Sequence, residues 1–300
     1  MSTMSTMSTM STVNEKNKHG ATRLTNLILQ VASQRTAWPK PPPDYGVKGV
    51  QTLIDKGADV NLPSIESTTP LHIASYYGLL MIMDLLLKNG ALVNKTTNDE
   101  DLYFTRRPTE STALHLASNF GGSFQTEAIE LLIQNGADVN AQDKAGNTPL
   151  HLLIWYPGDD HQMLTSETLL LEAGANMNLQ DNRGKTPLMK ACDYSLAKFA
   201  LILIEKGANL NLLSKSGKTA LDYCYSKYFP YFMDQDLKDV VKVIKENGGM
   251  TGKQVRSGKV ALTESDAEPL LAGKFKEGGK YSKSRKSKKS KKRTIQTRRK

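Results

Sequence analysis

The sequence predicts an all-α solenoid, a stack of helix pairs repeating about every 33 residues. Three observations predict it. Five Gly-Ala pairs begin at Gly57, Gly90, Gly136, Gly174 and Gly207, and the fourth residue after each glycine is an asparagine: Asn61, Asn94, Asn140, Asn178 and Asn211. Five Thr-x-Leu signatures interleave with them, led by Thr69, Thr112, Thr148, Thr186 and Thr219. The step from glycine to the next threonine is 12, 22, 12, 12 and 12 residues; from threonine to the next glycine it is 21, 24, 26, 21 and 29. The shortest pair of steps, 12 and 21, sets a base period of 33. Self-similarity at this period marks units that each leave an apolar face to be covered by a neighbour.

Each element follows from its residues. Threonine before proline is a helix N-cap with proline at the first helical position, where its missing N–H costs nothing. The leucine after it opens a buried stripe. A second apolar stripe follows, as in Met81, Leu85 and Leu86, or Ala128, Ile129, Leu132 and Ile133. Glycine ends this second helix, because a positive φ is cheap for it. Polar turns such as residues 143–147 and 181–185 lead into the next threonine. Longer steps are insertions at different places in different units. The 22-residue step puts ten extra residues at a turn tip, within 94–110.

These signatures resemble ankyrin repeats. The resemblance covers about residues 21–249, about six units, the first and last degenerate. It implies two antiparallel helices and a β-hairpin-like finger per unit. In the first unit Thr22-Arg23-Leu24 leads one helix, 47–56 forms the next, and the Pro-rich 38–46 lies between them. In the last, 228–236 precedes a helix at 237–245. The resemblance also gives His72, His115 and His151, which share one place in three units, a structural role against neighbouring loop backbone.

The ends differ in composition. Residues 1–20 open with Met-Ser-Thr four times and are expected to be disordered. Residues 250–279 read as a linker. Residues 280–300 carry twelve Lys or Arg and no carboxylate. The formal net charge of +10 therefore divides into a tail of +12 and a body of −2, with 28 basic and 30 acidic residues. Such a tail is disordered alone and attracts phosphates without sequence preference. Lys288, Lys289, Lys291, Lys292 and Arg293 form the densest run, open to three readings: an import-receptor signal, a nucleic-acid tether or a solubilising extension. The tail is similar to those of proteins encoded by giant DNA viruses.

Two cysteines are too few for a disulfide scaffold or a cysteine-based zinc site. No apolar run has the length of a membrane span. No phosphate loop, HExxH or nucleophile elbow occurs. The expectation is a monomeric intracellular protein of the cytoplasm or nucleus, virus-encoded if the tail resemblance holds. It is not an enzyme and carries no cofactor or metal.

Family resemblance places the variable contact residues seven and eight places after each threonine: Tyr76 and Tyr77, Asn119 and Phe120, Trp155 and Tyr156, Asp193 and Tyr194. The eighth is aromatic in four successive units, which suits an interface; packing between units is the competing role. Leu102, Tyr103 and Phe104, between acidic and basic residues at the long insertion, form a second candidate contact. The function expected is a non-catalytic module holding a protein partner on a concave face. The alternative is a nucleic-acid-associated or virion packaging protein acting through its tail.

Overall fold

The computed structural model describes residues 12–17, 20–34, 44–64, 68–98, 110–119, 124–155, 160–226 and 235–258. Among them lie six helix pairs and a closing helix: α1 (Arg23–Gln34) with α2 (Val47–Asp55), α3 (Pro70–Tyr76) with α4 (Leu80–Lys88), α5 (Ala113–Ser118) with α6 (Gln125–Gln134), α7 (Pro149–Leu152) with α8 (Asp160–Glu172), α9 (Pro187–Asp193) with α10 (Ala197–Glu205), α11 (Ala220–Ser226) with α12 (Gln235–Glu246), then α13 (Gly252–Ser257). The short α7 continues as a 3-10 turn, Leu153–Trp155. First helices pack on first helices and second on second along the chain, giving two layers.

The first helices start the same way. Thr69 holds extended backbone, and its hydroxyl accepts the N–H of His72 at 3.3 Å. In return the Thr69 N–H donates to His72 Nδ1 at 3.1 Å, a reciprocal capping box. The neutral ring therefore carries its proton on Nε2, which donates to Lys95 O of the next unit at 2.8 Å. His115 repeats this with Thr112 and Asn147 O, and His151 with Thr148 and Lys185 O, both at 3.0 Å. Each histidine thus caps its own helix and pins the next finger. Burial pushes the pKa of His72 down to about 4 and that of His151 down to about 3, and lowers that of His115. The rings stay neutral at pH 7.

Among the described residues the second helices α2, α4, α6 and α10 have no such caps. Leu79, Phe124 and Leu196 precede α4, α6 and α10 without a side-chain bond to the helix start. Helices this short are marginal alone, so packing holds them. Ile82, Met83 and Leu86, then Ala128, Ile129 and Leu132, then Phe199, Ala200 and Leu203 are buried in register. Full burial of one large apolar side chain contributes about 1.5–3 kcal/mol.

A second ladder binds each unit to the next. Asn61 donates to Gly90 O at 2.8 Å and accepts the Leu92 N–H at 2.8 Å. Asn94 does the same with Gly136 and Asp138, Asn140 with Gly174 and Asn176, and Asn211 with Gly248 and Met250. The ladder begins earlier than the repeat signatures indicate. Asn14 donates to Gly57 O at 3.0 Å and accepts the Asp59 N–H at 2.8 Å, and Val13 is buried. It also ends later. Thr251 and Gln254 form a capping box that starts α13, inside the stretch expected to be linker, and Gly252 N–H donates to Asp222 at 2.6 Å. The stack therefore extends beyond 21–249 at both ends.

Candidate protein-binding face

The fingers are tight turns. Asp143 N–H donates to Asn147 O at 2.9 Å, Asp181 N–H to Lys185 O at 2.9 Å and Ser214 N–H to Lys218 O at 2.9 Å. In the long finger the corresponding bond joins Thr97 N–H to Ser111 O at 3.0 Å, so its ten extra residues enter between these two. Neighbouring tips are bonded: Asn182 N–H to Ala145 O at 2.9 Å and Lys215 N–H to Arg183 O at 3.0 Å. The approach leaves no room for side chains at the turn. Gly184 has φ +72°, and a Cβ there would sit 2.6 Å from Lys215 N. The three fingers 143–147, 181–185 and 214–218 are thereby tied tip to tip.

Charge is sorted across that edge. Asp143 and Asp181 are buried and accept backbone N–H groups of their own turns at 2.8–2.9 Å. Burial raises the Asp143 pKa, opposed by the bonds from Asn147. Lys190, also buried, lies 3.3 Å from Asp181 Oδ2 and bonds Asn147 Oδ1; burial lowers its pKa. Lys144, Arg183 and Lys215 instead stand exposed on three successive tips. Behind them, the Lys185 and Lys218 ammonium groups lie 4.4 and 5.5 Å from the centre of the Tyr223 ring, whose hydroxyl meets Ser214 Oγ at 3.3 Å.

The expected contact residues divide. Tyr194 caps the end of α9 and is 42% exposed. The following Ser195 has φ +61°, where the sister unit uses Gly78 at φ +60°. Asp193 is partly exposed and paired with Lys185 at 2.7 Å. Tyr76 and Tyr77 are half-buried and meet edge to face, centroids 4.9 Å apart. Tyr77 packs against the core, and burial raises its pKa. Asn119 is buried at the end of α5, which leaves it little surface to offer a partner. Trp155 ends the 3-10 turn. Phe120, Tyr156, Leu102, Tyr103, Phe104 and the run Lys288 to Arg293 lie outside the described residues.

Among the described residues no three His, Cys, Asp or Glu side chains converge as a metal site, and no helix is long and apolar enough to cross a membrane. Cys192 and Cys224 are buried; the Cys224 thiol bonded to Cys192, then burial, push the Cys192 pKa well up. The three histidines are consumed by caps and fingers.

A two-layered stack of capped helix pairs with bonded fingers defines a repeat scaffold. Family models agree on which one. Models described as ankyrin repeats in many copies match residues 53–103, 170–224 and 114–156, and a model of the single ankyrin repeat matches 145–182. The chain belongs to the ankyrin-repeat family. It is similar to an ankyrin repeat protein of fowlpox virus (strain NVSL), 31% identical over 133 residues, which are 44% of this chain and 33% of that protein. It is similar to Rabankyrin-5 of Mus musculus, 33% identical over 111 residues, 36% of this chain and 9% of that protein. Alpha-latrotoxin-Lt1a of Latrodectus tredecimguttatus is 33% identical over 103 residues, 34% of this chain and 7% of the toxin. The matched segments span a third or less of each relative.

Proposed function

We propose that the chain is a non-catalytic interaction module that holds a protein partner on its finger and first-helix side. Ankyrin repeats are generally protein-interaction modules, and the family match carries that much. The observation that favours this side is the exposed Tyr194, set beside Asp193 and Lys185 on a scaffold whose fingers are bonded in place. A surface formed before binding loses little ordering entropy on association. An aromatic there supplies contact area at low conformational cost.

The test is a nuclease-treated pull-down with the full chain and with Tyr77→Ala and Tyr194→Ala, the helical circular dichroism of each variant checked first. A discrete protein retained by the full chain and lost with Tyr194→Ala supports the module. Retention unchanged by both substitutions removes this side as the site. The twelve cations of residues 280–300 favour a second reading, a tether to nucleic acid. Recovery that vanishes with nuclease and with Lys288, Lys289, Lys291, Lys292 and Arg293 changed to Gln supports the tether instead.

A further inference from the structure

Among the described residues of the finger turns 143–147, 181–185 and 214–218, the exposed charges are cationic. Lys144, Arg183 and Lys215 occupy successive tips, Lys218 stands behind the last of them, and Arg256 bonds back to Gly217 O to extend the row. The carboxylates of the same segments are engaged. Asp143 and Asp181 accept backbone N–H groups within their own turns, Asp193 pairs with Lys185, and Asp222 accepts the N–H groups of Thr219 and Gly252. Among the described residues no carboxylate pairs with Arg183, Lys215 or Lys218. The finger-to-finger bonds hold the tips side by side, so the backbone positions that carry these cations stand in a line.

We propose that this line is a docking edge for an acidic, extended segment of a protein partner, a run of Asp and Glu lying across the fingers from Lys144 to Lys218. This deepens the interaction-module reading and rests on it. An aligned row of cations with its carboxylates turned inward is complementary to spaced side-chain carboxylates, and such complementarity sets register and partner choice. Arg183 offers a planar fork to a carboxylate. The polar side chains between the cations are engaged within the fold: Asn182 Nδ2 donates to Lys144 O at 2.7 Å, and Ser216 Oγ lies 2.9 Å from Ser214 Oγ. Nucleic acid fits less well. A single strand needs ring faces for its bases, whereas the Tyr223 ring already has ammonium groups at 4.4 and 5.5 Å. Duplex sequence is read by a helix or ribbon entering a groove, and these fingers are bonded to one another in an edge.

The test uses the full chain and three probes: a labelled peptide of about twelve residues rich in Glu and Asp, a single-stranded oligonucleotide of similar charge, and a short duplex. Two sets of variants are compared, Arg183→Glu with Lys215→Glu and Lys218→Glu, and the same three changed to Gln. Each is also made with Lys288, Lys289, Lys291, Lys292 and Arg293 changed to Gln, so that binding through the tail is subtracted. The expected result is peptide affinity falling about tenfold or more with Glu and by less with Gln, and weakening with salt, whichever tail is present. Peptide affinity within about twofold of the parent in the tail-substituted background overturns the inference. So does loss of oligonucleotide binding with no loss of peptide binding. A partner that depends on Tyr194 but not on these cations refutes the acidic edge and leaves the module standing; dependence on neither refutes both.

Discussion

Glu167 on α8 is fully buried, and neither carboxylate oxygen has a hydrogen-bond partner among the described residues. It lies seven residues before the helix-ending Gly174. The same place holds Val50, Met83, Ile129, Ala200 and Val241 in the other units, all buried and apolar. Burial pushes the Glu167 pKa from its ordinary 4.5 up to about 9. The carboxyl is therefore protonated in the fold at pH 7 and ionised in the unfolded chain. The unfolded state binds fewer protons at this site, so the Glu167 contribution to stability falls as pH rises between 4.5 and about 9, by about 1.4 kcal/mol per pH unit. At pH 7 the cost is roughly 3 kcal/mol. Glu167→Met has comparable volume and matches Met83 of a sister unit. It is expected to stabilise by roughly 3 kcal/mol at pH 7, a rise in melting temperature of about 6–12 °C for a domain of this size. At pH 5 the gain shrinks to below about 1 kcal/mol. Glu167→Gln removes this residue's share of the pH slope and keeps a buried polar group. The assay is urea and thermal unfolding of the three proteins between pH 5 and 8. A Met variant that gains nothing at pH 7, or a gain independent of pH, refutes the assignment of a protonated orphan carboxyl.

Three further outcomes follow from the same geometry. The histidines act in the opposite sense: each buried neutral ring binds a proton in the unfolded chain below pH 6.5 but not in the fold, so its contribution is lost as pH falls from 6.5 toward 4. With Glu167 acting above 4.5, these groups place the stability optimum near pH 6.5, and Glu167→Gln moves it upward; unfolding midpoints across pH measure both. Asn14→Ala is expected to lose about 1 kcal/mol and to speed amide exchange at Asp59, because the asparagine bonds Gly57 O and Asp59 N–H. Lys190→Met leaves the buried Asp181 without its ammonium, at a cost of about 3 kcal/mol by urea unfolding, near the low end for a broken buried pair because two backbone N–H groups still serve Asp181.

What could be read from the chain alone was whatever repeats. Thr, Asn and Gly recur at one spacing, and His in three of the units, because each does the same job from unit to unit, so the period gives the helices, the caps and the fingers together. Asn14 performs that bond too, but Met10-Ser11 stands where the sister units have Gly-Ala and its surroundings are low complexity, so no local signal marks it. The capping box of Thr251 and Gln254 was visible locally, hidden by the Gly, Lys and Ser around it. Glu167 and Lys190 are legible only once the units are set in register. Lys190 lies four places after its threonine, where sister units put Ile73, Leu116 and Leu152, all buried. A single sequence window shows an ordinary charged residue at both positions. The seven-and-eight rule placed Tyr194 on the surface and also chose Asn119, which is buried; backbone position within a unit does not fix how deeply a given side chain sits.

The most direct test of the account is site-specific photocrosslinking in the native cellular background. A photoreactive side chain would replace Tyr194, Arg183 or Met81 one at a time. Met81 is 46% exposed and lies on the opposite layer, in a cleft between α4 and α6 lined by Leu80, Asp84, Glu127 and Glu130. The account predicts a discrete protein adduct from Tyr194 and from Arg183, rich in acidic residues at the crosslinked peptide, and none from Met81. An adduct from Met81 alone would place binding on the second-helix layer and contradict it.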